Sequence, residues 1–224
     1  MSQDFHTASP TRFPVQQPQS ARTPQAAPRD RADMLLCGAR NAPLARLCDA
    51  LDAMFEACGP SPEPSDSAFF ARSMRMALAD AAANPDLLTA AQREGSAEKY
   101  RRHLLAADPY GRYAIAALVW LPQQASPVHA HHTWCGYAVM EGTLSETVFE
   151  WNGARHCASA TRTQARNRGA VSFVRGGRGG IHQLGNRSDE PAVSLHIYGV
   201  AGAQIATHVN DVVSVADCGH NARS

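Results

Sequence analysis

The sequence predicts a mainly β domain, an antiparallel barrel or sandwich, preceded by a layer of helices. Three observations point there. After Pro109 the chain breaks into short apolar runs separated by Gly, Asn, Asp and Pro. Before it, apolar residues recur at helical spacing. Hydrophobic residues make up 44% of the 224, enough for one buried core in a chain of single-domain length.

Residues 1–32 carry Pro10, Pro14, Pro18, Pro24 and Pro28 among Gln, Ser, Thr, Ala and Arg. Such a stretch buries too little apolar surface to offset its ordering entropy, so it is predicted to be a disordered tail. One globular domain is expected over 33–224, with a helical part at 33–108 and the β part at 109–224. A helix over 33–57 would place Leu44, Leu47, Leu51, Met54 and Phe55 on one face and stop at Gly59 and Pro60. A second is predicted from Ser67 to Ala83, capped by Asp66 or Ser67. A third is expected after Asn84 with Pro85 in its first turn, and a short fourth over 96–106. Strands are expected at 113–121, 136–140, 144–151, 170–174, 192–200 and 212–215.

Charge excludes some function classes. Lys and Arg total 21 against 20 Asp and Glu, a net +1, which gives no electrostatic footprint for nucleic acid or an anionic membrane. Aromatics are sparse at 7%, against a base-stacking surface. The 6 cysteines, at 37, 48, 58, 135, 157 and 218, form no CxxC pair, which excludes a zinc ribbon or a thioredoxin-type motif. No apolar run reaches the roughly 20 residues a membrane span needs, and no signal-peptide core opens the chain. The expectation is a cytoplasmic protein with reduced thiols.

The histidines carry the chemistry. Pro127-Val-His-Ala-His-His132 puts His129 and His131 two apart, on one face of a strand, with His132 on the other. A third imidazole from another strand would complete a three-nitrogen metal site. His182 is the best candidate, since it follows the glycine-rich segment Gly176-Gly-Arg-Gly-Gly-Ile181, read as a turn where backbone approaches closely. Farther on, Ser194, His196 and Tyr198 alternate with Val193, Leu195 and Ile197. On a strand this gives one hydrogen-bonding face and one apolar face.

This pattern resembles the cupin signature: HxH at His129 and His131, Gly142 at the motif glycine, and Gly179, His182 and Asn186 in the second motif. Cys135 stands where cupins carry a glutamate ligand. Gln123 stands at the first motif's opening glycine, and Gly177 at the second motif's usual proline. The resemblance implies a double-stranded β-helix barrel with N-terminal helices. Two segments are similar to the cysteine dioxygenase family specifically, Trp134 to Trp151 and Glu190 to Gly199. That resemblance covers about residues 96–217 and implies an Fe(2+) centre held by His129, His131 and His182. It also implies a relay of Ser194, His196 and Tyr198 beside the iron, and a thioether partner for Tyr198 in Cys135.

Tyr100-Arg-Arg-His-Leu104 matches the family's Tyr-x-Arg-x-Leu segment, which gives Arg102, helped by Tyr100, the substrate carboxylate. Arg112, just before the first predicted strand, is the fallback. Related 3-mercaptopropionate dioxygenases carry glutamine at the position of Arg102, so L-cysteine is the implied substrate, with dioxygen as co-substrate and cysteine sulfinate as product. Gly199-Val-Ala201 departs from the Ser-Pro-Pro element of mammalian-type members and leaves the pocket frame open. The alternatives are a 3-mercaptopropionate or other small-thiol dioxygenase and a non-catalytic ligand-binding cupin. A zinc- or manganese-dependent isomerase usually keeps the cupin glutamate. The expected partners are the small-molecule thiol and dioxygen, with no nucleic acid or membrane, in a monomer or small homo-oligomer.

Overall fold

The structure, a computed structural model, describes residues 41–216. The predicted tail at 1–32 and the first residues of the predicted first helix lie outside the described residues. Helix α1 spans Ala42–Cys58; the Asn41 side chain accepts from the Leu44 backbone N–H at 3.0 Å and Pro43 sits in the first turn. It ends at Gly59, as expected, and buries Leu44, Leu47, Leu51 and Met54. Helix α2 spans Ala68–Ala83 and buries Phe70, Met74 and Leu78. Of its two candidate caps the chain uses Ser67, whose hydroxyl accepts from the Phe70 N–H at 3.4 Å.

Two helical expectations fail. The third helix shrinks to a single 3-10 turn, Pro85–Leu87, because Leu88 is already extended and both leucines are buried. The fourth is a strand, β1, spanning Arg101–Ala107. Its sequence, Arg-Arg-His-Leu-Leu-Ala-Ala, is rich in helix formers, but antiparallel pairing with the next strand overrides that weak preference. The sheet thus begins at Arg101.

Ten strands form two five-stranded sheets: β2 Ala114–Trp120, β3 His129–His131, β4 Cys135–Glu141, β5 Thr143–Asn152, β6 Cys157–Asn167, β7 Val171–Val174, β8 Gly177–Gly185, β9 Ala192–Tyr198 and β10 Asn210–Val212, besides β1. One sheet runs β1-β2-β9-β4-β7 and the other β10-β3-β8-β5-β6, antiparallel throughout. This is the double-stranded β-helix expected from the sequence. β6 is unexpected, and β8 begins inside the glycine-rich segment 176–181, where the sequence predicts a turn. The glycines of β8 are strand residues: Gly180 lies against Val174, and the pairing of β3 with β8 shifts register between His129 and His131.

The first sheet is buried on both faces. Ile115, Ala117, Val119, Ala138, Met140, Val193, Leu195 and Ile197 pack on the helices. Ala116, Leu118, Trp120, Cys135, Tyr137 and Tyr198 face the barrel interior. β2 and β9 are therefore buried at every position. The helices convert one side of the sheet into core, and the other side becomes the floor of a sequestered site.

A candidate metal centre in the barrel

His129, His131 and His182 come together. Each offers a ring nitrogen, and the three atoms lie within 4.8 Å of one another, all in buried side chains. The ring centroids are 5.0, 4.8 and 5.0 Å apart. The β3–β8 register makes this possible, since His129 stands directly opposite His182. His132 points away and is exposed, as the alternation predicts.

The surroundings leave His129 and His131 neutral. Burial, then the neighbouring His182, lowers the His129 pKa to about 4. Burial, His182, His129 and His196 take His131 down to about 2. Neutral imidazoles are the form that binds metal. The Nδ1 of His129 is 2.9 Å from the Pro127 carbonyl and that of His182 is 3.0 Å from the Glu146 carboxylate, which leaves Nε2 of each as donor. Three uncharged nitrogens without a carboxylate suit iron, zinc or copper.

Ser194, His196 and Tyr198 share the inner face of β9, and none is solvated: Ser194 is 0% exposed and His196 4%. An ordinary amphipathic strand with a wet polar side is thereby excluded. The Trp120 indole N–H donates to Ser194 Oγ at 2.9 Å, and Ser194 Oγ lies 2.9 Å from His196 Nε2. Trp is a donor only, so Ser194 accepts from it and keeps its own proton for the imidazole. His196 Nδ1 has no hydrogen-bond partner among the described residues. His196 and Tyr198 are stacked rather than hydrogen-bonded, with centroids 5.6 Å apart at 23°. Tyr137, its cross-strand neighbour, also stacks on His196, at 5.4 Å. Arg166 lies over Tyr137 and Arg102 over Tyr198, at 5.6 and 5.7 Å, so each tyrosine carries a guanidinium on its ring. Burial and then Arg102 push the His196 pKa well below its ordinary value; burial and then Cys135 push that of Tyr198 up.

Cys135 stands opposite Tyr198 in the β4–β9 register, both buried. Its thiol is pushed up by burial. Tyr100 stacks on Trp120 at 4.4 Å. Arg102 donates from Nη1 to the Ile205 carbonyl at 3.0 Å, while its Nε is buried with no hydrogen-bond partner among the described residues. A cavity of about 20 Å³ is lined by these groups together: Tyr100, Arg102, the three histidines, Cys135, His196 and Tyr198 among them. A wider cavity of about 690 Å³ lies outside it and shares Tyr100, Arg102 and Asn210. Arg112, the fallback carboxylate partner, is committed elsewhere: it pairs with Asp108 at 2.8 Å and with Asp52 of α1.

Sequence reasoning missed four residues here. Trp120 holds Ser194. Glu146, on β5, holds His182, and Gln164 of β6 donates to Glu146 at 2.9 Å. Asn210 joins the inner and outer cavities. Glu146 was legible in principle, because Leu144 and Glu146 alternate onto one strand face and a carboxylate beside a buried leucine needs a partner.

A model of the family described as cysteine dioxygenase type I matches residues 91–208. The chain belongs to the cysteine dioxygenase type I family. Among curated relatives, the cysteine dioxygenase type 1 of Rattus norvegicus is 28% identical over 102 residues, 45% of this chain and 50% of that protein. That of Danio rerio is 29% identical over 105 residues, 45% and 51% of the two. The chain thus spans about half the length of the curated relatives it matches. Among solved structures, a cupin 2 conserved barrel domain protein from Salinispora arenicola is 19% identical over 48% of this chain and 80% of that one, with a TM-score of 0.35. The cysteine dioxygenase match spans β1 through β9 and so contains all three candidate histidines, Arg102 and the Ser-x-His-x-Tyr strand.

Proposed function

We propose that the protein is a non-haem iron(II) thiol dioxygenase that converts L-cysteine and dioxygen to cysteine sulfinate. The observation that carries this reading is convergence: a buried three-histidine group, an arginine whose buried Nε finds no partner among the described residues and a held tyrosine all line one small cavity. His129, His131 and His182 would hold the iron. Iron(II) held there would supply the electron-transfer chemistry by which dioxygen reacts with a thiol. The net change is RSH + O2 → RSO2H, so both oxygen atoms go to sulfur and no external reductant is needed.

The remaining work falls to the chain. Three neutral histidines leave the metal's full positive charge in the cavity, which favours a substrate that arrives as thiolate. Arg102 is the carboxylate partner, offering its buried Nε to the substrate while Nη1 stays on the Ile205 carbonyl. Tyr100 walls that pocket. Tyr198 keeps its proton, since burial holds its pKa up, and can donate a hydrogen bond to the reacting oxygen or sulfur. His196 and Ser194 hold its ring by stacking and by the bond to Trp120. Cys135 is proposed as the thioether partner of Tyr198, the cross-strand pairing that such a link requires. The outer cavity is the route in. Arg102 also favours cysteine over 3-mercaptopropionate, whose enzymes carry glutamine there.

The test is oxygen uptake by the iron(II)-loaded protein with L-cysteine and 3-mercaptopropionate in parallel, and the product identified by mass. Uptake with cysteine and a gain of two oxygen atoms is the expected result. Preference for 3-mercaptopropionate would refute the assignment of Arg102. No uptake with either thiol despite bound iron would make a ligand-binding cupin the better reading. His182→Ala should lose iron and activity together; full turnover by an iron-replete His182→Ala protein would sink the ligand set.

A further inference from the structure

The three candidate ligands are not alike behind the metal. The Nδ1 of His129 faces a neutral carbonyl, that of His131 finds no hydrogen-bond partner among the described residues, and that of His182 faces a carboxylate at 3.0 Å. That carboxylate, Glu146, is 5% exposed and is itself fixed. Gln164 Nε2 donates to its other oxygen at 2.9 Å, and Arg166 Nε lies 3.6 Å from the same oxygen. Register explains the arrangement. Glu146 stands directly opposite Gln164 on β6, and on its other side β8 carries His182 opposite Val148, one side-chain alternation away. His129, His182, Glu146 and Gln164 therefore lie on four adjacent strands, β3-β8-β5-β6, with one diagonal step between His182 and Glu146.

We propose that Glu146, braced by Gln164 and Arg166, is the positioning residue of the metal centre: it fixes the tautomer and ring angle of His182 and makes His182 the strongest donor of the three. The proposal rests on the metal-centre reading above. A carboxylate missing from the ligand set is thus present one hydrogen bond farther out. An imidazole whose distal N–H is held by a carboxylate is more basic at the metal, and such outer partners contribute about 10–100-fold to metal retention. Negative charge at that distance also favours the higher oxidation state of an iron ion.

Glu146→Gln tests this, because the amide keeps an acceptor for His182 and removes the charge. Wild type and variant are loaded with iron(II), and two quantities are read: the rate of iron release to a chromogenic chelator, and the Fe(III)/Fe(II) midpoint potential. The expected result is release about 10–100-fold faster and a higher potential in the variant. A merely structural glutamate would move the melting temperature and leave the potential alone. Gln164→Leu, which leaves Glu146 in place but unbraced, carries the same test if Glu146→Gln does not fold; faster release is expected there too. Wild-type release rate and potential in the variant overturn the role of Glu146 while leaving the three-histidine site intact. A wild-type protein that retains no iron overturns the site and this proposal together.

Discussion

Arg102 shows how one side chain can be readable in kind and not in setting. The sequence places it in a Tyr-x-Arg-x-Leu segment; the structure adds that one nitrogen is anchored to the Ile205 carbonyl and another is buried without a partner. Arg102→Gln should therefore lower kcat/KM for cysteine by about 3 kcal/mol, roughly a hundredfold, mostly through KM. Steady-state kinetics check it, and an unchanged KM contradicts the contact. Gln123 carries a second prediction. It occupies the opening glycine of the cupin motif and takes φ 67°, a left-handed conformation that costs an L side chain about 1–2 kcal/mol. Gln123→Gly should raise stability by about 1 kcal/mol, less the extra chain entropy of glycine, as read by urea denaturation. Gly177 is the mirror case: its φ of 94° is closed to the proline usual at that position, so the departure follows the backbone. At Gly199 a Cβ would come within 2.4 Å of the Trp134 indole nitrogen, so the serine of mammalian-type members has no room beside this tryptophan.

At the scale of elements, strands marked by alternation or by a short apolar run were legible, and those written in helix formers or glycine were not. β9 shows this best, because its apolar side meets the helices and its polar side meets the cavity, as Ser-x-His-x-Tyr predicts. β1 was misread because seven residues with good helix propensity carry no mark of the partner strand that holds them extended. β8 was misread because glycines signal a turn locally, whereas here they serve close packing in a sheet. The metal candidates were legible because HxH spacing is a local fact. The holding groups Trp120, Glu146 and Gln164 were not, because each acts on a residue distant in sequence. The helices are structural for the site through the sheet they cover. Leu78, fully buried in α2, lies over Gly136 of β4. Leu78→Ala should cost about 3 kcal/mol of stability, measured by denaturant unfolding, with the iron content of the folded fraction unchanged.

For the whole molecule, the buried histidines link stability to acidity. The pKa values of His129 and His131 are lowered to about 4 and about 2, and that of His196 lies well below its ordinary value of 6.5. Below pH 6.5 the unfolded chain takes up protons at these positions and the native chain does not. The sign is therefore one of stability lost as pH falls, at up to about 1.4 kcal/mol per pH unit for each group. Glu146 adds a further loss at lower pH. Burial opposes its ionisation, but hydrogen bonds from His182 and Gln164 hold its pKa at about 2 against an ordinary 4.5, so its contribution disappears across that window. The metal-free protein, kept so with chelator, should show a urea midpoint that drops between about pH 7 and pH 5. A flat midpoint would mean that these histidines are solvated.

The pairing of His129 with His182 has a consequence for how the molecule comes into being. The two residues lie on strands separated in the chain by β4 to β7, so neither a nascent chain nor a fragment ending before β8 holds the full ligand set. That contact is among the long-range closures that topology makes slow, because the loop between its ends must be ordered first. On the proposed reading of the site, metal capture would therefore be a late event in folding, and a bound ion would act as a clasp on the finished barrel rather than as a seed for it.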